Sequence, residues 1–201
     1  MEVITGIAVP LLQANVDTDQ ILPKQFLRTI SREGLGDALF FDWRFDEAGA
    51  EYPDFILNQS AYRRSSVLIA GENFACGSSR EHAVWALLDF GFSCVIAPSF
   101  AEIFASNAVN NGLLLITLSQ ASVEALAQEA IGEGANFRID LPLQRIIAPS
   151  GREIFFDFDQ GVKRKLIAGL DAIGETFLHE HAIAVFEARQ SNAMPWLSGR
   201  A

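Results

Sequence analysis

Between residues 66 and 131 the chain alternates three times between a short apolar run and a stretch of helical character. This alternation limits the fold more than any other feature. "SVLIA" (66–70), "CVIAP" (94–98) and "LLLITL" (113–118) are rich in β-branched and aliphatic residues and too short for helices, so they read as buried strands. A helix is predicted after each. The first covers about 79–90 and ends at Gly91, a natural position for a left-handed residue; the second runs to about Asn110 before "NG"; the third covers 122–131 and ends at Gly132. Ser78 with Glu81, and Ser99 with Glu102, have the S-x-x-E spacing of a capping box, which predicts them as the openings of the first two helices. Strand and helix in strict turn predict an α/β fold whose sheet is at least partly parallel, with helices packed on it.

The flanks are less regular. "TGIAVPLL" (5–12) reads as a strand, and Pro23 suits the first turn of a helix over 23–33 that would align Lys24, Arg28 and Arg32 in one basic stripe. "FRIDLPLQRII" and "REIFFDF" read as strands on an edge because of Pro142. Residues 161–190 read as two helices. With no repeat, low-complexity tract or linker, the expectation is one domain over 1–201 with a C-terminal helical extension at 161–190. "GLGDALFFDWRFDEAGAEYPD" (34–54) has five aromatics and several glycines but no period. It reads either as core or as a mobile loop that orders against a ligand or partner.

Composition excludes several classes. Half of the residues are hydrophobic and sixteen are phenylalanine, enough for a sizeable core. The net charge of -10 argues against nucleic acid and anionic membrane surfaces as partners. An anionic substrate would need a local basic group. The two cysteines, Cys76 and Cys94, are too few for a cysteine-ligated iron–sulfur cluster and do not suggest a disulfide scaffold. No basic residue precedes Lys24 and no apolar run reaches the roughly 20 residues of a membrane helix, so neither a signal peptide nor a span is expected, and the expected setting is cytoplasmic.

The stretch "GENFACGSSREHAVWALLDFG" (71–91) holds the chemistry. A strand, a turn of small residues and a helix start would present free backbone N–H groups to an anion. Arg80, a cation at a helix N-terminus, is misplaced by about 0.3–1 kcal/mol for the fold alone. It is well placed to hold a carboxylate through its planar fork. The plainer reading makes Ser78 a cap and points Arg80 at water. Cys76 and His82 lack the third partner of a nucleophile site, "ETFLHEH" (175–181) lacks metal-ligand spacing, and no Walker loop is present.

"VDTDQILPKQFL", "LNQSAYR", "GENFACGSSREHAVWALLDFG", "IAPSFAEIF", "NNGLLLI" and "HEHAIAVFEA" together resemble the small-subunit family of 3-isopropylmalate dehydratase, also called isopropylmalate isomerase, over nearly the whole chain. G-S-S-R-E-H is specific to the swivelling domain of the aconitase superfamily. The resemblance implies a three-layer, β/β/α-like α/β domain with a partly parallel sheet and C-terminal helices. It implies a hydro-lyase of leucine biosynthesis that isomerises 2-isopropylmalate to 3-isopropylmalate as a heterodimer and is inactive alone. The [4Fe–4S] cluster is supplied by a separate large subunit, leaving no metal or cofactor in this chain. By the same resemblance Ser78 is the alkoxide base, Ser79 and Arg80 hold a substrate carboxylate, Asp19 lies by the catalytic apparatus and Lys24 contacts substrate. Ala75 stands where glycine is expected, Val84 where proline is common, and "IFASNAVNNG" lacks the usual aromatic, cysteine and lysine. These departures keep open a related substrate, of homoaconitate, citraconate or dimethylmalate type, or a non-catalytic carboxylate-binding module.

Overall fold

The three apolar runs are strands β2 (Val67–Ala70), β3 (Cys94–Ala97) and β4 (Leu114–Thr117), which join β1 (Val3–Leu11) in a parallel half-sheet. Strands β5 (Asn136–Asp140), β6 (Arg145–Ile147) and β7 (Glu153–Phe155) continue it in antiparallel fashion, giving the order β4-β3-β2-β1-β5-β6-β7. The computed structural model describes residues 2–28, 31–78, 80–132, 134–169 and 172–197, the side chains at 172 and 175 excepted.

β1 joins the two halves. Its first part, Val3–Ile7, pairs antiparallel with β5, and its second, Ala8–Leu11, pairs parallel with β2. Pro10 is tolerated because the second part has a ladder partner on one side only. Pro142 lies in the turn between β5 and β6 rather than in a strand; the antiparallel edge is β7.

The parallel strands are apolar without alternation because both faces are covered. Leu68, Ala70, Val95 and Ala97 face a first core with helices α3 (Glu81–Phe90) and α4 (Glu102–Asn111). Val67, Ile69, Cys94 and Ile96 face a second core with α5 (Gln120–Glu129), the antiparallel strands and Leu166 of α6 (Gln160–Ala168). The result is the expected layered α/β architecture. After α6, α7 (Ala172–Phe177) and α8 (Glu180–Ala193) follow, so the C-terminal region carries three helices where two were expected. Phe177, Leu178, Phe186 and Trp196 are exposed there.

The helix expected over 23–33 does not form among the described residues. A short helix α1 (Thr18–Ile21) ends at Leu22, Pro23 adopts an extended ψ of 145°, and a 3₁₀ turn, Lys24–Phe26, follows. Phe26 and Leu27 both pack on the first core. The basic residues therefore share no stripe, and Arg32 lies over the Trp85 ring at 4.9 Å.

The first half of segment 34–54 is core, with Leu35, Ala38, Leu39, Phe40 and Arg44 buried, whereas residues 47–54 are exposed. It forms a 3₁₀ turn (Gly36–Ala38) and the short helix α2 (Phe41–Arg44). Leu39 and Phe40 are fully buried, and Arg44 is 7% exposed. The Arg44 Nε donates to Asn58 Oδ1 at 3.1 Å and Nη1 to the carbonyls of Gly36, Asp37 and Leu39 at 3.3–3.4 Å, with Phe45 and Phe90 against its guanidinium. Burial lowers its pKa from the ordinary arginine value. This buried fork supplies the order that the missing periodicity hid.

Candidate active site

In an open α/β sheet, ligands bind beyond the carboxyl ends of the parallel strands. Here the loops leaving β1 and β2, neighbours in the sheet, meet at that end. A Cβ on Gly71 would come within 2.4–2.5 Å of the Gln13 and Leu12 carbonyls, so only glycine admits the approach. Beyond Gly71 the loops zip together: Asn15 N donates to Glu72 O (2.8 Å), Cys76 N to Val16 O (3.1 Å) and Thr18 N to Cys76 O (3.0 Å). The loop after β3 joins them, with Asn73 N donating to Ser99 Oγ at 2.8 Å and Phe74 N to Ser99 O at 3.1 Å.

This close pairing requires unusual backbone. Asn15, Asn73 and Ala75 have φ of 57°, 54° and 61°, and Gly77 has 89°. Asn15 and Asn73 tolerate the left-handed region and bond to one another, Nδ2 to Oδ1, at 2.8 Å. Ala75, standing where glycine was expected, is strained by ~1–2 kcal/mol. Strain held this way is common at functional sites.

Beyond Gly77 the chain delivers Ser78 and Arg80. Ser78 is exposed and does not cap α3. Its Oγ lies 3.0 Å from Thr18 Oγ1, the first residue of α1. The N-cap is Arg80 itself, in extended conformation (φ -118°, ψ 110°), with no side-chain cap bond. Ser99 likewise does not cap α4; its hydroxyl is spent on Asn73. The Arg80 guanidinium forms an ion pair with Asp19, on the next residue after Thr18. Arg80 therefore does not simply point to water. The pair is partly open, Arg80 being 24% and Asp19 52% exposed, so a second carboxylate can reach the fork.

Ser78, Asp19 and Arg80 are thus brought together, and Thr18 with them. Lys24 is exposed in the 3₁₀ turn, five residues after Asp19, and joins no ion pair among the described residues. Ser79 lies outside the described residues. The Cys76 thiol donates to Asn15 O at 3.4 Å, and the His82 ring packs tilted against Trp85, the centroids 4.6 Å apart. Among the described residues no three His, Cys, Asp or Glu side chains could hold a metal ion. Cys94 is buried within the sheet, where desolvation pushes its pKa up.

The family model of the aconitase C-terminal domain matches residues 1–121, and that of the C-terminal domain of 3-isopropylmalate dehydratase small subunits matches 173–200. The chain is 54% identical to the 3-isopropylmalate dehydratase small subunit of Caulobacter vibrioides over 192 residues, covering 96% of this chain and 95% of the relative. The chain belongs to the 3-isopropylmalate dehydratase small-subunit family. The small subunit of Shewanella denitrificans is also 54% identical, over 96% of both chains. The crystal structure of 3-isopropylmalate dehydratase from Methanocaldococcus jannaschii superposes with a TM-score of 0.66 at 30% identity, over 92% of this chain and 99% of that one.

Sequence reasoning missed Thr18. Its hydroxyl sits inside the quoted "VDTDQI" motif, but nothing in the spacing shows that it meets Ser78 sixty residues away. The signal was the motif's neighbour, Asp19, without the partner it serves.

Proposed function

We propose that the chain is the small subunit of a cytoplasmic 3-isopropylmalate dehydratase, isomerising 2-isopropylmalate to 3-isopropylmalate by dehydration and rehydration in leucine biosynthesis, active only with a large subunit. The observation that carries this reading is the exposed Ser78 hydroxyl beside the half-open Arg80–Asp19 pair, at the carboxyl end of the parallel strands, in a chain of this family. No helix among the described residues is long and apolar enough to cross a membrane.

In the proposed reaction the Ser78 alkoxide takes the carbon-bound proton of the substrate and becomes the hydroxyl. Rehydration reverses the transfer at the neighbouring carbon. The Arg80 fork and Ser79 hold one substrate carboxylate, and Asp19 holds Arg80 in place from its other side. Lys24 is the further contact to the dicarboxylate. The residues of this chain do not suit a [4Fe–4S] cluster: two thiols are too few, and one is sealed inside the sheet. A [4Fe–4S] cluster would be held by the large subunit and would supply Lewis-acid chemistry for the departing hydroxyl.

The test is anaerobic reconstitution with the large subunit and a panel of alkylmalates. The expected result is strongest turnover of 2-isopropylmalate, none by the chain alone, and none by Ser78→Ala in an intact complex. Preference for a homoaconitate-, citraconate- or dimethylmalate-type substrate would overturn the substrate assignment. Turnover by Ser78→Ala would overturn the base.

A further inference from the structure

We infer that Thr18 is a positioning residue for the reactive serine: its hydroxyl donates a hydrogen bond to Ser78 Oγ whenever that oxygen is deprotonated. The inference rests on the proposed role of Ser78 as base.

Thr18 Oγ1 meets three atoms of Ser78. The Ser78 N–H donates to it at 3.4 Å, and its own proton can go to Ser78 O at 3.2 Å or to Ser78 Oγ at 3.0 Å. A hydroxyl has one proton and two lone pairs, so it cannot donate to both oxygens at once. While Ser78 is neutral, its own O–H can donate to Thr18, and the Thr18 proton is free to stay on the carbonyl. Once Ser78 is an alkoxide it can only accept, and a charged oxygen is the stronger acceptor. The Thr18 proton then turns to it. The carbonyl left behind is not orphaned, because Arg80 N donates to Ser78 O at 3.0 Å. The switch therefore exposes no unsatisfied group.

Burial makes the donor effective. Thr18 is 1% exposed, whereas Ser78 is exposed. Water cannot compete from behind, and the front of the hydroxyl stays open to substrate. Thr18 is also held rigidly. Its N–H donates to Cys76 O at 3.0 Å, its carbonyl accepts from Leu22 N at 3.0 Å, and Asp17 and Gln20 close a capping box around it. A donor that need not reorganise as charge develops is what electrostatic stabilisation requires. No atom is gained or lost in the device. The substrate proton ends on Ser78 Oγ, and Thr18 keeps its own throughout.

The test compares Thr18→Val, which keeps the shape and removes the donor, with Thr18→Ser, which keeps the donor, in the assembled two-subunit enzyme over a range of pH. Losing a hydrogen bond to a charged group should lower kcat by roughly ten- to a hundredfold, with KM changed little, and move the rising limb of kcat/KM upward by about one to two pH units. Thr18→Ser should restore most of the rate and return the limb. If Thr18→Val does not assemble, Thr18→Ala is read in the same way. Wild-type rate and limb in Thr18→Val would overturn the inference. So would equal impairment of Thr18→Val and Thr18→Ser with the limb unmoved, since that reports packing alone. Ser78→Ala, run beside them, separates the two levels: if it keeps full turnover, Ser78 is not the base; if it is dead while Thr18→Val is unaffected, only the role of Thr18 fails.

Discussion

Replacing Arg80 separates what the fold needs from what the chemistry needs. In the free chain, Arg80→Ala removes an ion pair whose members are 24% and 52% exposed, a pair of the kind that contributes about 0–1 kcal/mol. It also removes a cation from a helix N-terminus, which returns about 0.3–1 kcal/mol. No capping bond is lost, because the Arg80 side chain makes none, and Asp19 is exposed enough to be rehydrated. The two contributions oppose and nearly cancel, so the melting temperature should move by less than about 3 °C. In the assembled enzyme the same change should cost ~10²-fold or more in kcat/KM, since a charge-assisted hydrogen bond contributes roughly 1.5–3 kcal/mol and the fork makes two. Arg80→Lys should recover little, because an ammonium cannot engage Asp19 and a substrate carboxylate in one plane. The measurements are thermal melts of the free small subunit and steady-state kinetics of the complex. A fall of more than about 6 °C in Arg80→Ala would make Arg80 a structural residue. Normal melting with unchanged kcat/KM would move the carboxylate clamp elsewhere, and Lys24 would be tested next.

Ala75→Gly should be close to neutral in urea denaturation: it relieves ~1–2 kcal/mol of left-handed strain but loses a buried methyl of about 0.8 kcal/mol and gains unfolded-chain entropy of about 0.4–1 kcal/mol. Arg44→Met should destabilise by about 3 kcal/mol or more in the same assay, since it strips buried carbonyls and Asn58 of their donor. One thiol, Cys76, should react with Ellman's reagent in the native chain and two in denaturant, because burial raises the pKa of Cys94 and shuts out the reagent. Ending the chain at Gly169 should shift the melting temperature by no more than about 2–4 °C, a loss near 1 kcal/mol, because the large apolar side chains of α7 and α8 are exposed rather than packed; a larger fall would count against a C-terminal extension attached to a single domain.

The parallel half of the sheet was legible because its signal is local. Short aliphatic runs followed by helices ending at Gly91 and Gly112 leave little alternative. What was not legible depends on contacts between distant residues. Segment 34–54 has no period because Arg44, not an apolar stripe, organises it, and a buried arginine reads as a surface residue in sequence. The helix over 23–33 gave way to a 3₁₀ turn, Lys24–Phe26, and an extended Pro23, with Phe26 and Leu27 packed on the first core, where tertiary contacts override local propensity.

The capping signals show the same division and mark the site. Helices α5 and α6 carry side-chain caps, Ser119 accepting from Ser122 N and Asp159 from Val162 N. Helices α3 and α4 have the S-x-x-E spacing of a capping box, yet neither carries a side-chain cap. In both, the serine has been diverted: Ser99 tethers Asn73, and Ser78 turns to Thr18. The diversion costs each helix about 1 kcal/mol that an ordinary cap would supply. It occurs at the two helices whose N-termini adjoin the joined loops leaving β1 and β2. A cap serves only its own helix, whereas the diverted serines build a joint between three loops. For this reason Ser78→Ala should cost the free small subunit less than the ~1 kcal/mol expected of a lost cap while abolishing turnover in the complex. A full capping loss on melting would mean that the serine serves the helix and not the chemistry.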